Sequence, residues 1–132
     1  MKRAVIDTGL LVEILEGSPL GKKLVELLTS EEIEGYVTDL TLTEIAYVIC
    51  RKYGMDKAKE LVGKLLETGY FEVVEALNYA EEISKIKCEY SISFMDAAVV
   101  ATAKGLNAIA LFKREKELED KRPEGVVFVD EL

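Results

Sequence analysis

With 132 residues, 49% of them hydrophobic and only two prolines, the chain is sized for one globular domain over residues 1–132, which excludes disordered and low-complexity classes. No apolar run approaches the roughly 20 residues that cross a bilayer, and the N-terminus lacks a signal peptide's apolar stretch, so a soluble cytoplasmic protein with no membrane contact is expected. The net charge of −8 argues against a basic nucleic-acid surface, although acids gathered around a cation can still receive a phosphate through it.

In chain order, Arg3-Ala4-Val5-Ile6 is an apolar run that stops at Asp7, followed by Thr8, Gly9 and a helical pattern. This reads as a buried strand delivering Asp7 to a strand-to-helix turn. Leu10, Leu11, Ile14 and Leu15 recur at helical spacing, Ser18-Pro19 interrupts them, and Leu20, Leu24, Leu27 and Leu28 resume in a second helix. Glu34 to Thr38 predicts strand two. A third helix follows, starting within Asp39 to Glu44 and ending at Tyr53-Gly54, with Gly54 as its C-terminal cap. Asp56 is the expected cap of the next helix, whose Ala58, Leu61, Val62, Leu65 and Leu66 form one stripe before Gly69. Tyr70 to Val74 predicts strand three, Asn78 to Lys87 a helix, Phe94 to Ala103 another, Asn107 to Phe112 strand four, Lys113 to Arg122 a loop or short helix, and Val126 to Val129 strand five.

Strands alternating with helices long enough for crossovers indicate an α/β fold with a parallel sheet covered on both faces. Ligands of such sheets bind beyond the carboxyl ends of the strands. Asp7, Glu44, Asp96 and Glu115 all follow a strand or open a helix, and so fall at that rim. Each has a plain structural role open to it. Thr41-x-x-Glu44 and Ser93-x-x-Asp96 match the capping box, Asp7 or Thr8 suits an N-cap, and Glu115 suits a helix's first turn.

Gathered together, the same acids would repel one another unless a cation held them. The chain has no histidine, which removes the usual general base and the zinc and triad chemistries. Its two cysteines, Cys50 and Cys88, lack CxxC spacing and are expected to be buried thiols. An oxygen-only donor set of this kind suits Mg²⁺ or Mn²⁺.

Val5-Ile6-Asp7-Thr8, Leu40-Thr41-Leu42-Thr43-Glu44-Ile45 and Phe94-Met95-Asp96-Ala97-Ala98, followed by Phe112-Lys113-Arg114-Glu115-Lys116-Glu117, together resemble the PIN-domain family of the VapC toxin type, over nearly the whole chain. The resemblance implies a single three-layer α/β/α domain with a five-stranded parallel sheet in the order 3-2-1-4-5. It also implies a Mg²⁺- or Mn²⁺-dependent ribonuclease that leaves a 5′-phosphate, with Asp7, Glu44, Asp96 and Glu115 as metal ligands and Thr8 as a supporting hydroxyl. A small antitoxin protein and a homodimer are implied as partners, with RNA as substrate.

One segment departs from the family pattern of hydroxyl, any residue, Asp, any residue, Asp. Here Lys113 stands for the hydroxyl, and Glu115 and Glu117 stand for the two aspartates. A longer carboxylate alters geometry at an ion with octahedral demands. Lys113 could bind a substrate phosphate, its ammonium could take the space of a metal, or the run could be a solvated charged surface. The alternative function is therefore a weakened or inactive PIN domain that binds RNA or protein. An Asp-nucleophile phosphatase fits poorly, because Gly9 stands where a second Asp would be needed. Arg51 and Lys52 suit a helix C-terminus as well as an RNA backbone. Tyr36, Tyr47, Tyr53, Tyr70 and Phe71 are expected in the core or an interface rather than stacked on bases.

Overall fold

A computed structural model describes residues 2–132. Its strands are β1 (Lys2–Ile6), β2 (Ile33–Thr38), β3 (Phe71–Val74), β4 (Ile109–Phe112) and β5 (Val126–Phe128). Its helices are α1 (Thr8–Glu16), α2 (Pro19–Thr29), α3 (Asp39–Tyr53), α4 (Met55–Glu67), α5 (Ala80–Glu89), α6 (Phe94–Gly105) and α7 (Lys116–Lys121). All five strands are parallel and lie in the order β3-β2-β1-β4-β5, as the family resemblance implied.

The two-residue alternation of β1 divides the core. Val5 faces one layer with Tyr36, Ala110, Phe112, Phe128 and the buried side of α6. Ala4 and Ile6 face the other with Leu10, Leu11, Leu24, Val37, Ile45 and Leu111. The small residues of Ala97-Ala98-Val99-Val100-Ala101 let α6 lie close against the sheet, with every residue from Ala97 to Ala103 buried. Gly35 serves the same close packing in β2, since a Cβ there would sit 2.9 Å from both Leu28 Cδ2 and the Tyr70 carbonyl oxygen. The chain winds from β1 to β2 and β3 on one side, then returns to add β4 and β5 on the other. The crevice between the ends of β1 and β4 is thus the topological switch point.

Several local expectations shift. The third helix begins at Asp39, inside the expected segment, but its N-cap is Thr38 rather than Thr41: fully buried, Thr38 accepts from the Thr41 N–H at 3.0 Å. Glu44 consequently lies in the second turn and cannot complete a capping box. Gly54, at φ 89°, both ends α3 and precedes α4, so Asp56 falls in the first turn and does not cap. Strand four starts at Ile109 because Asn107 takes a left-handed turn at φ 57°. A short 3₁₀ turn, Ala76–Tyr79, precedes α5. Cys50 is half-buried but Cys88 is exposed, since α5 turns Ile83 and Ile86 inward instead. Tyr36 is buried, whereas Tyr47 and Tyr53 on α3 are exposed.

Candidate active site

Asp7 sits where β1 ends at the switch point. Its backbone N–H donates to the Leu111 carbonyl of β4 at 3.1 Å, and its Oδ1 caps α1 by accepting the Leu10 N–H at 2.9 Å. A Cβ on residue 9 would stand 3.3 Å from that Oδ1, so glycine leaves the carboxylate its room. Asp96 lies in the first turn of α6, where Ser93 is the N-cap and accepts the Asp96 N–H at 3.0 Å. Both aspartates therefore have the capping surroundings read from sequence. The cap occupies Asp7 Oδ1 and Ser93 hydrogen-bonds the Asp96 carboxylate, yet each carboxylate keeps lone pairs for other work.

Asp7, Thr8, Glu44, Asp96, Lys113 and Glu115 line a single cleft of about 460 Å³ at the sheet's carboxyl edge. Gly9, Val12, Val48, Met95, Val99 and Arg114 complete its walls. The apolar members come from α1, α3 and α6 and give the acids a low-dielectric floor. Sequence reading did not assign them, because at helical spacing they look like ordinary core residues. Glu117 is not brought into the cleft: it lines a neighbouring shallow pocket with Lys87, Tyr90 and Ser93.

The electrostatics follow from this packing. Asp7 is 8% exposed, and burial pushes its carboxyl up to about 7, with the charges of Asp96 and Glu115 adding to the rise. The N–H groups of Leu10 and Lys113 pull the other way. Asp96 is raised to about 6, first by burial and then by Glu115, Glu44 and Glu117, against a hydrogen bond with Ser93. Two carboxyls held this high by desolvation and mutual repulsion are ill-matched to an empty cleft.

Among the described residues, no three carboxylates or thiols stand close enough to enclose an ion on their own. The donors nevertheless fit a hard divalent cation, which takes one or two carboxylates and keeps several waters. They are all oxygen, two are partly desolvated, and each destabilises the other's ionised form. Asp7 and Asp96 are the two residues whose burial best suits them to hold such an ion, and Glu44 and Glu115 line the same cleft.

A parallel 3-2-1-4-5 sheet with an oxygen-lined cleft at its switch point defines a three-layer α/β/α domain whose site is built from carboxylates. The sequence matches the PIN domain family over residues 4–122, and the chain belongs to that family. No curated protein matches it in sequence. Its fold is similar to a chain of the DNA-bound VapBC complex of Salmonella typhimurium (TM-score 0.74, 17% identity, covering 97% of each chain). A chain of Rickettsia felis VapBC2 bound to promoter DNA gives TM-score 0.74 at 13% identity, covering 96% of each. VapC20 of Mycobacterium tuberculosis, described as a sarcin-ricin loop cleaving toxin, gives 0.66 at 15% identity, with 89% of this chain and 93% of that one covered.

Proposed function

We propose that this PIN domain is a Mg²⁺- or Mn²⁺-dependent endoribonuclease and the toxin of a toxin–antitoxin pair. The observation that carries the reading is that Asp7, Glu44, Asp96 and Glu115, distant in sequence, line one cleft. The VapBC complexes and the VapC20 toxin among its structural neighbours agree with it. They also favour a small antitoxin as partner. Tyr47, Tyr53, Met55 and Leu66, exposed on α3 and α4, offer apolar surface to a second chain, whether antitoxin or homodimer partner.

When bound, a divalent ion supplies charge stabilisation at a phosphodiester and a lowered pKa for the attacking water. The chain's own residues do the rest. Asp7 and Asp96 would hold the ion, Glu44 and Glu115 would accept hydrogen bonds from its waters, and Thr8, the first residue of α1, would support Asp7. Val12, Val48, Met95 and Val99 keep bulk water from the floor, which strengthens every charge interaction above them. Labelled single-stranded RNA incubated with Mn²⁺ should be cut by the wild-type chain and not by Asp96→Asn. Equal cutting by both, or none with any divalent ion, overturns the nuclease reading. The latter outcome favours the second reading, a PIN domain that binds RNA or protein without cleaving, which draws on the exposed Glu115 and on Glu117 lying outside the cleft.

A further inference from the structure

The cleft has two cationic side chains on its wall, Lys113 and Arg114. They are held very differently. The Arg114 guanidinium is fully engaged: Asp130 takes it through two hydrogen bonds of 2.8 Å, Glu119 through one of 2.7 Å, and Glu131 lies at 3.6 Å. It has little left for a ligand. The Lys113 ammonium has one acidic neighbour among the described residues, Glu13 on α1, at 3.5 Å and with no hydrogen bond formed. None of Asp7, Glu44, Asp96 and Glu115 comes within 4.0 Å of it. The ammonium therefore does not fill the space a metal would take between those acids. It stands at the rim, half exposed, on the α1 side.

Glu13 is the better-fixed partner. Its side chain is only 15% exposed, and its backbone carbonyl accepts the Ser18 N–H at 3.2 Å. Helix α2 packs so tightly on the end of α1 that a Cβ at Gly21 would lie 2.2 Å from the same carbonyl oxygen. A largely buried carboxylate on a well-packed stretch of backbone thus parks a long ammonium by a contact weak enough to break. With Arg114 engaged, Lys113 is the cation of the cleft wall, among the described residues, left to meet a polyanion.

We propose that Lys113 grips an RNA backbone phosphate next to the one that is cleaved, and that Glu13 holds its ammonium at the rim until RNA displaces it. The proposal rests on RNA being the substrate. It makes Lys113, where the family has a hydroxyl, a binding residue that acts on the ground state. Glu13 acts only through Lys113.

The test measures binding of a short fluorescein-labelled single-stranded RNA by anisotropy, in Mn²⁺ and in an Asp96→Asn background that prevents cutting. Lys113→Met should weaken binding about three- to tenfold and reduce the slope of log K against log salt by about 0.7, as expected for one lost phosphate contact. Lys113→Arg should keep most of both. Glu13→Gln should tighten binding, and the double variant should behave as Lys113→Met alone. In wild-type background, Lys113→Met should raise KM more than it lowers kcat. Thermal melts of each variant separate folding from binding.

RNA bound by Lys113→Met with unchanged affinity and salt slope overturns the phosphate grip while leaving the nuclease reading intact. A shifted Mn²⁺ midpoint with unchanged RNA affinity also overturns it, by assigning the ammonium to the metal site. Glu13→Gln binding no tighter than its parent overturns the tether. RNA neither bound by the Asp96→Asn parent nor cut by wild type overturns the substrate reading, and this proposal with it.

Discussion

Two acid-rich regions meet at residue 114, and they have been solved in opposite ways. In the C-terminal clasp every carboxylate is held by a guanidinium: Arg114 holds Asp130 and Glu119, while Arg122 holds Glu131 at 2.6 Å and the Val126 carbonyl. Both guanidinia also lie over the buried Phe128 ring, at 4.5 and 5.0 Å. Hydrogen bonds from these arginines hold Asp130 and Glu131 below the ordinary carboxylate range. In the cleft, one residue away on either side, burial and like charge push Asp7 and Asp96 above it. Carboxylates supplied with a cation by the chain are structural. Those left without one are the carboxylates proposed to receive a cation from solution.

The contrast is broken most severely by Asp96→Asn, which should cost about 100-fold or more in RNA cleavage, comparable to losing a charge-stabilising group in other active sites. Next comes the cation itself. In EDTA at pH 8 the protein should melt lower than in Mn²⁺, and at about 100-fold excess over Kd the difference corresponds to about 2.7 kcal/mol. The shift should shrink at pH 5, where protons compete for the same oxygens. No Mn²⁺ shift at either pH would remove the cleft from the class of cation sites.

Smaller is the gain from Asp7→Asn, which keeps a capping oxygen but discards a buried charge. Without metal at pH 8 it should raise the urea midpoint by the equivalent of on the order of 2 kcal/mol, part of the cost of a carboxyl that burial pushes up to about 7. A lowered midpoint would contradict the electrostatics given for the cleft.

The pH profile of the metal-free protein carries both regions at once. Asp7 and Asp96 bind protons more tightly folded than unfolded, so their contribution to stability is greatest below about 4 and is lost as pH rises to about 7. Asp130 and Glu131 behave oppositely, stabilising above their unfolded values and failing as pH falls through their lowered folded values. Melting temperature in EDTA should therefore peak on the acid side of neutrality, and Asp130→Asn should steepen nothing above pH 5. The smallest effect should be the fall in melting temperature on Asp130→Asn at pH 7, since both partners are solvent-exposed.

What could be read from the sequence follows the same division. Asp7 and Asp96 were visible because local chemistry announces them: an apolar run stopping at an acid, and a Ser93 cap three residues before a carboxylate. The sheet order came from the family resemblance, and the alternation of strand and helix agrees with it. Thr38 was missed as a cap because Thr41 offers the same hydroxyl one turn later, and only the backbone path decides between them. The family pattern places Glu117 at the site, but α7 begins at Lys116 and turns it to another surface. The Arg114–Asp130 clasp and the Glu13–Lys113 contact join residues far apart in the chain, and no local pattern reports such pairs.

The position of β1 at the centre of the sheet has a consequence for synthesis. Asp7 leaves the ribosome ahead of Glu44 and Asp96, yet the backbone that anchors it belongs to β4, and Lys113 and Glu115 follow later still. A nascent chain that has already delivered Asp7, Glu44 and Asp96 still has no cleft, because one wall has not been made. The activity proposed for this protein is withheld from every copy that has not yet reached β4 and Glu115, by the order in which its strands are laid down.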